Sequence, residues 1–295
     1  MKFYIVTPTY NSLNWLRCCI KSVADQVCED VEIHHHVQDG CSTDGTPLWL
    51  EQWREQSLSI VGYKFTYDSE PDKGMYDAIN KAWDKIPNDA DITAHLNSDE
   101  QYLPGALREV SRAMTANKSC EIALTTYIVV DEHGDYICHR RPIRPHRWSS
   151  ITVCEIFTCT CFHRVNYFLE HGIRFDPQWK SIGDFVMYRE IINRRPKFLI
   201  LPNVIASTFA VTGKNLAWTN HTKDDCKRLS TPLFFKKLHP FTYRWSNFKR
   251  IVKDFVCPKP KEYSIYIGEN LHRTLYMIEN PSSRWRYRNS GDNIE

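Results

Sequence analysis

Polar residues with hydroxyl, amide, carboxylate or ammonium groups gather in four short clusters within the first hundred residues. These clusters are Thr7–Asn11, Asp39–Asp44, Ser69–Lys73 and Asn97–Glu100. Such groups can bind phosphates, sugar hydroxyls or a hard cation. Any single cluster is typical of a turn, because Asp-Gly and Pro-Asp are ordinary turn pairs. A functional interpretation therefore needs a fold that brings the four clusters together.

Hydrophobic periodicity predicts strands and helices in strict alternation around these clusters. Short apolar, β-branched runs predict the strands, and apolar residues at three- and four-residue steps predict the helices between them. Asn11 or Ser12 is expected to cap the first helix, and Thr46, with Pro47 after it, the second. The predicted strands are 2–6, 31–37, 63–67 and 91–96.

A β-α-β-α-β-α-β-α order favours a mostly parallel central sheet with helices on both faces, because parallel strands need crossover connections. Each polar cluster directly follows a predicted strand. The carboxyl ends of parallel strands lie at one sheet edge, which is where open α/β sheets bind ligands. All four clusters should therefore line one crevice.

The motifs in this order resemble those of family 2 glycosyltransferases, most closely the branch that builds bacterial exopolysaccharides and surface glycans. The matching segments are Val6–Asn11, Gln38–Thr46, Glu70–Lys81 and Leu96–Glu100. The resemblance implies a GT-A catalytic domain over residues 1–215, with a nucleotide-sugar half over about 1–110 and an acceptor half over about 111–215. It also implies inverting transfer from a nucleoside-diphosphate sugar to a glycan or lipid-linked acceptor.

The resemblance also implies where the donor binds. Thr7, Pro8, Thr9, Tyr10 and Asn11 would surround the nucleoside together with Asp39, whose carboxylate accepts hydrogen bonds from base or ribose. Asp72, Lys73 and Gly74 would lie in the donor site as well, with Lys73 either neutralising phosphate or standing as a solvated loop lysine.

Asn97, Ser98 and Asp99 occupy the place of the family's Asp-x-Asp metal motif. Asn97 keeps an oxygen ligand but removes one negative charge, so metal affinity should be lower than with two carboxylates. Mn²⁺ or Mg²⁺ often binds through one carboxylate plus substrate phosphates. Asp99 is therefore the predicted metal ligand.

Asp184 matches the family's late acidic residue that takes the proton from the acceptor hydroxyl. The alternative is an ordinary helix N-cap at the same place. The family often has a second acidic residue two positions on, where this chain has Val186. Acceptor contacts at that position therefore differ from the family pattern.

Histidine and cysteine clusters favour structural roles. On a strand, His34 and His36 face one side and His35 the other, which excludes a compact three-histidine metal site. His163 and His221 match no metal motif, and Cys159 and Cys161 lack a second pair at zinc-finger spacing. The count of 11 cysteines and the adjacent Cys18 and Cys19 favour reduced thiols.

Net charge and the length of apolar runs argue against several classes of protein. A net charge of +3 is far from that of a dedicated nucleic-acid binder, so we expect no nucleic-acid partner. No run of about 18 apolar residues exists, which argues against a transmembrane helix. The short apolar stretch after Met1 does not suit a secretory signal, so we expect a cytoplasmic location.

The last part of the chain, residues 216–295, is predicted as a helical, basic and aromatic extension. A helix over about 242–256 would place aromatic residues on one face and cations off it. Three interpretations of segment 234–256 stay open: contact with anionic lipids at the inner face of the cell membrane, packing on the catalytic domain, or packing on a second subunit in a homo-oligomer.

Two alternatives to glycosyl transfer remain, and each is weighed by a sequence motif. A nucleotidyltransferase of sugar phosphates usually carries a glycine-rich loop after its first strand, whereas Thr7–Asn11 has no glycine. A degenerate, non-catalytic relative kept for binding is the second rival, because Asn97 and Val186 depart from the family pattern.

Overall fold

The computed structural model describes residues 1–213, 215, 220–229, 233–268 and 271–284. The helices are α1 Leu13–Ala24, α2 Thr46–Ser57, α3 Met75–Trp83, α4 Ala106–Ala116, α5 Val165–Glu170, α6 Gly183–Asn193, α7 Asn220–Arg228 and α8 Leu233–Val256. The strands are β1 Lys2–Thr9, β2 Glu32–Asp39, β3 Tyr63–Ser69, β4 Ile92–His95, β5 Glu100–Tyr102, β6 Ile122–Asp131, β7 Tyr136–Arg140, β8 Cys161–Arg164, β9 Phe198–Val211, β10 Glu262–Ile267 and β11 His272–Met277.

The predicted α/β class and the first four strands are confirmed. β3, β2, β1 and β4 are neighbours in the sheet and run parallel, with Val6 paired to His36 on one side and His95 on the other. β1 extends to Thr9, so part of the first polar cluster belongs to the strand itself. The carboxyl ends of these strands share one edge, as predicted.

Beyond β4 the sheet is mixed rather than mostly parallel. The strand order is β3-β2-β1-β4-β8-β6-β9-β5, with β7 paired to β6. β8 runs antiparallel to both β4 and β6, and β5 runs antiparallel to β9. β6 and β9 form a parallel pair. Alternating periodicity does not specify the direction of these later strands, because each can pair with a strand far away in sequence.

Helices cover both faces of the sheet. Phe3 and Ile5 of β1 belong to the core cluster that includes Leu16 and Ile20 of α1, whereas Tyr4 and Val6 face a second cluster that includes Ile79 of α3. Alternate side chains of a strand point to opposite faces, so one strand serves two cores. Helices on both faces, as predicted, follow from this alternation.

The predicted helix caps are confirmed in part: Ser12 holds the N-cap position of α1, whereas Gly45 and not Thr46 holds that of α2. Ser12 precedes α1 without a side-chain cap, and Thr46 is the first residue of α2 rather than its cap. Asp44 serves both helices: Oδ2 accepts the Leu13 backbone N–H at 2.9 Å, and Oδ1 accepts the Thr46 backbone N–H at 3.1 Å. One carboxylate therefore caps two helix N-termini that lie side by side.

The C-terminal extension is not wholly helical. β10 and β11 form an antiparallel hairpin whose Tyr263 and Ile265 pack in a cluster with Leu103 and Ile128. α8 begins at Leu233, nine residues before the predicted start at 242, and contains Pro240. A boundary near residue 215 stays a prediction.

Histidines of β2 follow the predicted alternation. His34 and His36 both hydrogen-bond Thr66 Oγ1, whereas His35 bonds Tyr63 Oη and Thr7 Oγ1 on the opposite face. Burial lowers the pKa of His35 to about 3, so this imidazole is neutral in the fold. All 11 cysteines are free thiols, as predicted.

Candidate functional site

The loops after β1 and β2 are tied together by hydrogen bonds. The Asn11 backbone N–H donates to Ser42 Oγ at 2.7 Å, and Asn11 Oδ1 accepts the Thr43 backbone N–H at 2.8 Å. Asn11 and Cys41 both adopt positive φ, at 47° and 63°. Tyr10 beside them is 66% exposed, so its ring is free to stack on a ligand.

Asp39 at the end of β2 is fully buried. Its carboxylate accepts the backbone N–H and the hydroxyl of Ser42 and the hydroxyl of Ser69, the latter at 2.5 Å. The carboxylate thus joins the ends of β2 and β3. A direct contact with base or ribose stays a prediction.

Asp72 lies directly over Gly40. A Cβ atom at Gly40 would lie 2.6 Å from Asp72 Oδ2 and 3.4 Å from the Tyr10 ring, so a larger residue there would displace the Asp72 side chain. The Gly74 backbone N–H, at φ 118°, holds Asp72 through Oδ1 at 2.7 Å. Three of the predicted clusters therefore meet at this point.

Lys73 is exposed in the loop between Asp72 and Gly74. Its backbone N–H donates to Asp77 Oδ2 at 3.0 Å, and its carbonyl accepts Lys180 Nζ at 2.7 Å. The second contact brings the segment that precedes Asp184 against the predicted donor loop. The neutralisation of phosphate by Lys73 stays a prediction.

The side chains of β1 differ in where they point. Thr7 is fully buried and bonds His35 Nε2 at 2.9 Å, so its hydroxyl faces the core rather than the crevice. Pro8 is also buried. Thr9 Oγ1 is buried, and within the described residues it has no hydrogen-bond partner. A buried hydroxyl of this kind is suited to a ligand or a water molecule.

Asn97 and Asp99 provide oxygen atoms at the end of β4. Asn97 Oδ1 is buried and lacks a hydrogen-bond donor among the described residues, whereas its backbone N–H donates to Glu100 Oε2 at 2.7 Å. Ser98 Oγ contacts Ser12 Oγ at 3.1 Å. Asp99 Oδ2 accepts Asn215 Nδ2 at 3.5 Å.

Burial shapes the charge of this segment. It raises the pKa of Asp99, and it raises the pKa of Glu100, with the nearby Asp99 charge as a second cause. A bound cation would reverse both shifts, because it favours the ionised carboxylates.

No group of three His, Cys, Asp or Glu side chains able to hold a metal ion occurs among the described residues. The Asn97 amide oxygen that lacks a donor and the Asp99 carboxylate fit a site that substrate phosphates would complete.

Asp184 lies near the start of α6 but is not its N-cap. Ile182 holds that position, and Asp184 is the second helical residue. Asp184 Oδ1 accepts the Phe185 backbone N–H at 2.8 Å. Burial raises the pKa of Asp184, which makes its ionised form a stronger proton acceptor.

Tyr76 and Gly183, which the sequence analysis missed, place α6 against α3. Tyr76 Oη donates to the Ser181 carbonyl at 3.0 Å, and a Cβ atom at Gly183 would lie 2.6 Å from the Tyr76 ring. Glycine at 183 therefore permits the close contact of ring and helix. The sequence signal was a glycine immediately before Asp184, at a position where a helix begins.

Asp225 of α7 is the second missed residue. Its Oδ2 atom accepts the backbone N–H groups of Lys180, Ser181 and Ile182 at 2.8, 2.8 and 3.4 Å. Three donors at the N-terminus of α6 thus converge on a carboxylate of the C-terminal extension. Sequence carried no signal for this contact, because the partners lie more than forty residues apart.

His163 and His221 lie outside this arrangement. His163 is buried against Phe168 and Tyr188, and burial lowers its pKa to about 3. His221 is exposed on α7.

Known proteins resemble this chain in sequence. The sequence model of Glycosyl transferase family 2 matches residues 4–193. TuaG of Bacillus subtilis, named as a teichuronic acid biosynthesis glycosyltransferase, is 27% identical over 132 residues, which are 44% of this chain and 48% of TuaG. The chain thus spans about half the length of this curated relative.

Two solved structures share the fold. Residues 1–349 of S. aureus TarS in complex with UDP-GlcNAc superpose with a TM-score of 0.57 at 19% identity, covering 74% of this chain and 61% of that one. The mannosyltransferase PcManGT of Pyrobaculum calidifontis, in complex with GDP-Man and Mn²⁺, gives a TM-score of 0.56 at 16% identity, covering 85% and 71%. The predicted GT-A architecture is confirmed by these neighbours.

Proposed function

The chain belongs to glycosyl transferase family 2, and from this premise we propose that it moves a sugar from a nucleoside-diphosphate sugar to a glycan or lipid-linked acceptor in surface-glycan synthesis. The observation that carries the proposal is the convergence of Tyr10, Gly40 and Asp72 at one edge of the parallel strands. TarS with UDP-GlcNAc supports a UDP-sugar as the first donor to test.

Asp184 acts as the general base in this proposal. The acceptor hydroxyl gives its proton to the Asp184 carboxylate while its oxygen forms a bond to the anomeric carbon. The bond from that carbon to the phosphate oxygen breaks, and the nucleoside diphosphate leaves with the bonding electrons. Attack opposite the leaving group inverts the configuration at the anomeric carbon.

Asn97 and Asp99 would hold Mn²⁺ or Mg²⁺ through their side-chain oxygens. The ion supplies positive charge to the departing diphosphate. Tyr10 would stack on the base, and Asp72 with the loop around Lys73 would contact the donor. The Asn97 oxygen without a donor and the Asp99 carboxylate two residues further on support this assignment.

An Asp184→Asn variant tests the base. We expect the rate of UDP release from UDP-GlcNAc with acceptor to fall by about 10²- to 10⁴-fold, the usual contribution of general base catalysis. Donor binding, measured by thermal shift with Mn²⁺, should stay unchanged. Asp176→Asn is the matched control, because Asp176 is an exposed carboxylate of the preceding loop.

A panel of UDP-, GDP- and dTDP-sugars with and without Mn²⁺ tests the donor and the metal. Metal-stimulated release of nucleoside diphosphate supports the proposal. Binding of donor without turnover under any condition would favour the degenerate, non-catalytic alternative. Undiminished turnover in Asp184→Asn would remove the base assignment while leaving transferase activity intact.

A further inference from the structure

Helix α8 turns its polar side toward the rest of the protein. From residue 237 onward, where the structure describes its side chains, the buried residues of α8 are Thr242, Ser246, Arg250 and Asp254. Ser246 Oγ donates to Glu155 Oε1 at 2.6 Å, and Arg250 Nη2 donates to the Glu155 carbonyl at 3.1 Å. Asp254 accepts a hydrogen bond from Arg141 Nε at 3.1 Å. Polar contacts therefore dock this helix.

The opposite side of α8 is apolar and exposed. Its members recur at steps of three and four residues, which places them on one helical face. We call this set the apolar face: Phe241, Trp245, Phe248, Val252 and Phe255, with exposed fractions of 61, 41, 56, 44 and 84%. A helix that only packs on its own domain shows the reverse arrangement, with the apolar side inward.

Neighbouring aromatic contacts widen the apolar face. Trp148, 45% exposed, lies 6.3 Å from Phe241 between ring centroids. Trp245 and Phe248 stack on each other at 6.1 Å. Contiguous exposed apolar patches mark interaction surfaces, whereas single exposed residues do not.

Positive charge accompanies the apolar face along the sequence. Residues 237–261 contain seven Lys or Arg residues and one acidic residue, Asp254. Asp254 is buried and already paired with Arg141. Lys237 and Arg244 on α8, together with Lys259 and Lys261 after it, are exposed. The exposed rim therefore carries cations without acidic partners from this segment.

We propose that the apolar face of α8 and its cationic rim bind the surface of an anionic lipid bilayer, with the helix lying in the plane of the membrane. Aromatic side chains enter the headgroup region, and Lys237 and Arg244 meet the lipid phosphates. A second copy of the chain fits less well, because symmetric pairing would bring the same cations together. No described helix is long and apolar enough to cross a membrane.

Two of the three open interpretations of this segment would then hold at once, since the polar side of α8 packs on the catalytic domain while the apolar face is available to lipid. Lipid binding lies outside the donor site and goes beyond the proposed sugar transfer. It can therefore fail without affecting that proposal.

Vesicle flotation of the full chain tests the surface. Vesicles of phosphatidylcholine with one third phosphatidylglycerol should carry the protein to the top of a density gradient, and pure phosphatidylcholine vesicles should carry much less. Trp245→Ala/Phe248→Ala should lower the partition coefficient at least about tenfold, since each aromatic side chain contributes apolar area. Lys237→Glu/Arg244→Glu should lower binding to anionic vesicles but not to pure phosphatidylcholine vesicles. For the unmodified protein, 0.5 M salt should likewise lower binding to anionic vesicles only.

Leu58→Ala/Val61→Ala is the matched control, because these residues after α2 are 84% and 91% exposed but lie away from α8 in the chain. Release of UDP from UDP-GlcNAc in the absence of vesicles should be equal in the control and in Trp245→Ala/Phe248→Ala. Equal flotation of these two variants would overturn the proposal. So would light-scattering evidence of a dimer that Trp245→Ala/Phe248→Ala dissociates, in a protein that does not float.

Discussion

An Asp225→Ala substitution tests whether the C-terminal extension positions the proposed base. Asp225→Ala removes the single oxygen that accepts the N–H groups of Lys180, Ser181 and Ile182. Two of these hydrogen bonds are 2.8 Å long and the third is 3.4 Å. Asp184 follows two residues after Ile182, so the loss acts directly on the segment that carries the base.

The expected size of the effect follows from these contacts. A hydrogen bond to a charged group contributes about 1.5 to 3 kcal/mol, and loss of a helix cap costs about 0.5 to 2 kcal/mol. The donors are partly reachable by water, so the free energy of unfolding should fall by about 2 to 3 kcal/mol in Asp225→Ala. Asp225→Asn keeps an acceptor oxygen and should lose less, because Asn caps helices about as well as Asp.

Catalysis should respond separately from donor binding. A displacement of the base by about 1 Å can cost 10²-fold in rate, so we expect kcat to fall 10- to 100-fold in Asp225→Ala. KM for the donor should change little, since Asp225 contacts the base segment and not the donor loops. Urea unfolding followed by circular dichroism and UDP-release kinetics measure the two effects.

Asp224 offers a matched control beside it. Its side chain is 68% exposed and lies 3.9 Å from Lys227 Nζ, so Asp224→Ala should leave stability and kcat unchanged. Equal kcat values for Asp224→Ala and Asp225→Ala would refute the positioning role. A fall in stability without a fall in kcat would restrict Asp225 to a purely structural role.

Two further predictions concern the metal segment and the buried histidines. Asn97→Asp places a second carboxylate near Asp99. The Mn²⁺ concentration for half-maximal UDP release should then fall about tenfold, which corresponds to about 1.4 kcal/mol of binding free energy. An unchanged Mn²⁺ dependence would show that residue 97 does not bind the metal. The pKa of His163 falls from 6.5 to about 3 on burial, so the unfolded chain binds more protons below pH 6.5 and acid destabilises the fold. Between pH 6 and 5, His163→Phe should therefore lose about 1 kcal/mol less unfolding free energy than the unmodified protein in urea titrations. His133→Gln, which changes an exposed histidine, should not show this difference. An identical pH dependence of the unfolding free energy in His163→Phe and the unmodified protein would contradict this reasoning.

Local periodicity determined much of the fold. The first four strands, the helices between them and the facing of His34, His35 and His36 all follow from periods of two and 3.6 residues. These patterns depend only on neighbouring residues. Because polar clusters end parallel strands, sequence also predicted the shared edge where Tyr10, Gly40 and Asp72 meet.

The sequence did not predict the direction in which side chains at the site point. Thr7 was expected at the nucleoside, but its hydroxyl bonds His35 in the core. The Asp39 carboxylate, whose contact with the nucleoside stays a prediction, also joins two loops through Ser42 and Ser69. A motif gives the residue type and position along the chain. Whether its polar atoms face a ligand or another residue depends on the loops packed against it.

Sequence by itself determined the α/β class, the order of the early elements, the family motifs and the amphipathic character of α8. Tertiary structure alone decided that β8 and β5 run antiparallel to their neighbours, that Asp225 caps the N-terminus of α6, and that α8 buries its polar side. The physical reason is that amphipathicity is a local property of the sequence. Which face is buried is set by groups such as Glu155 and Arg141, which return from distant parts of the chain.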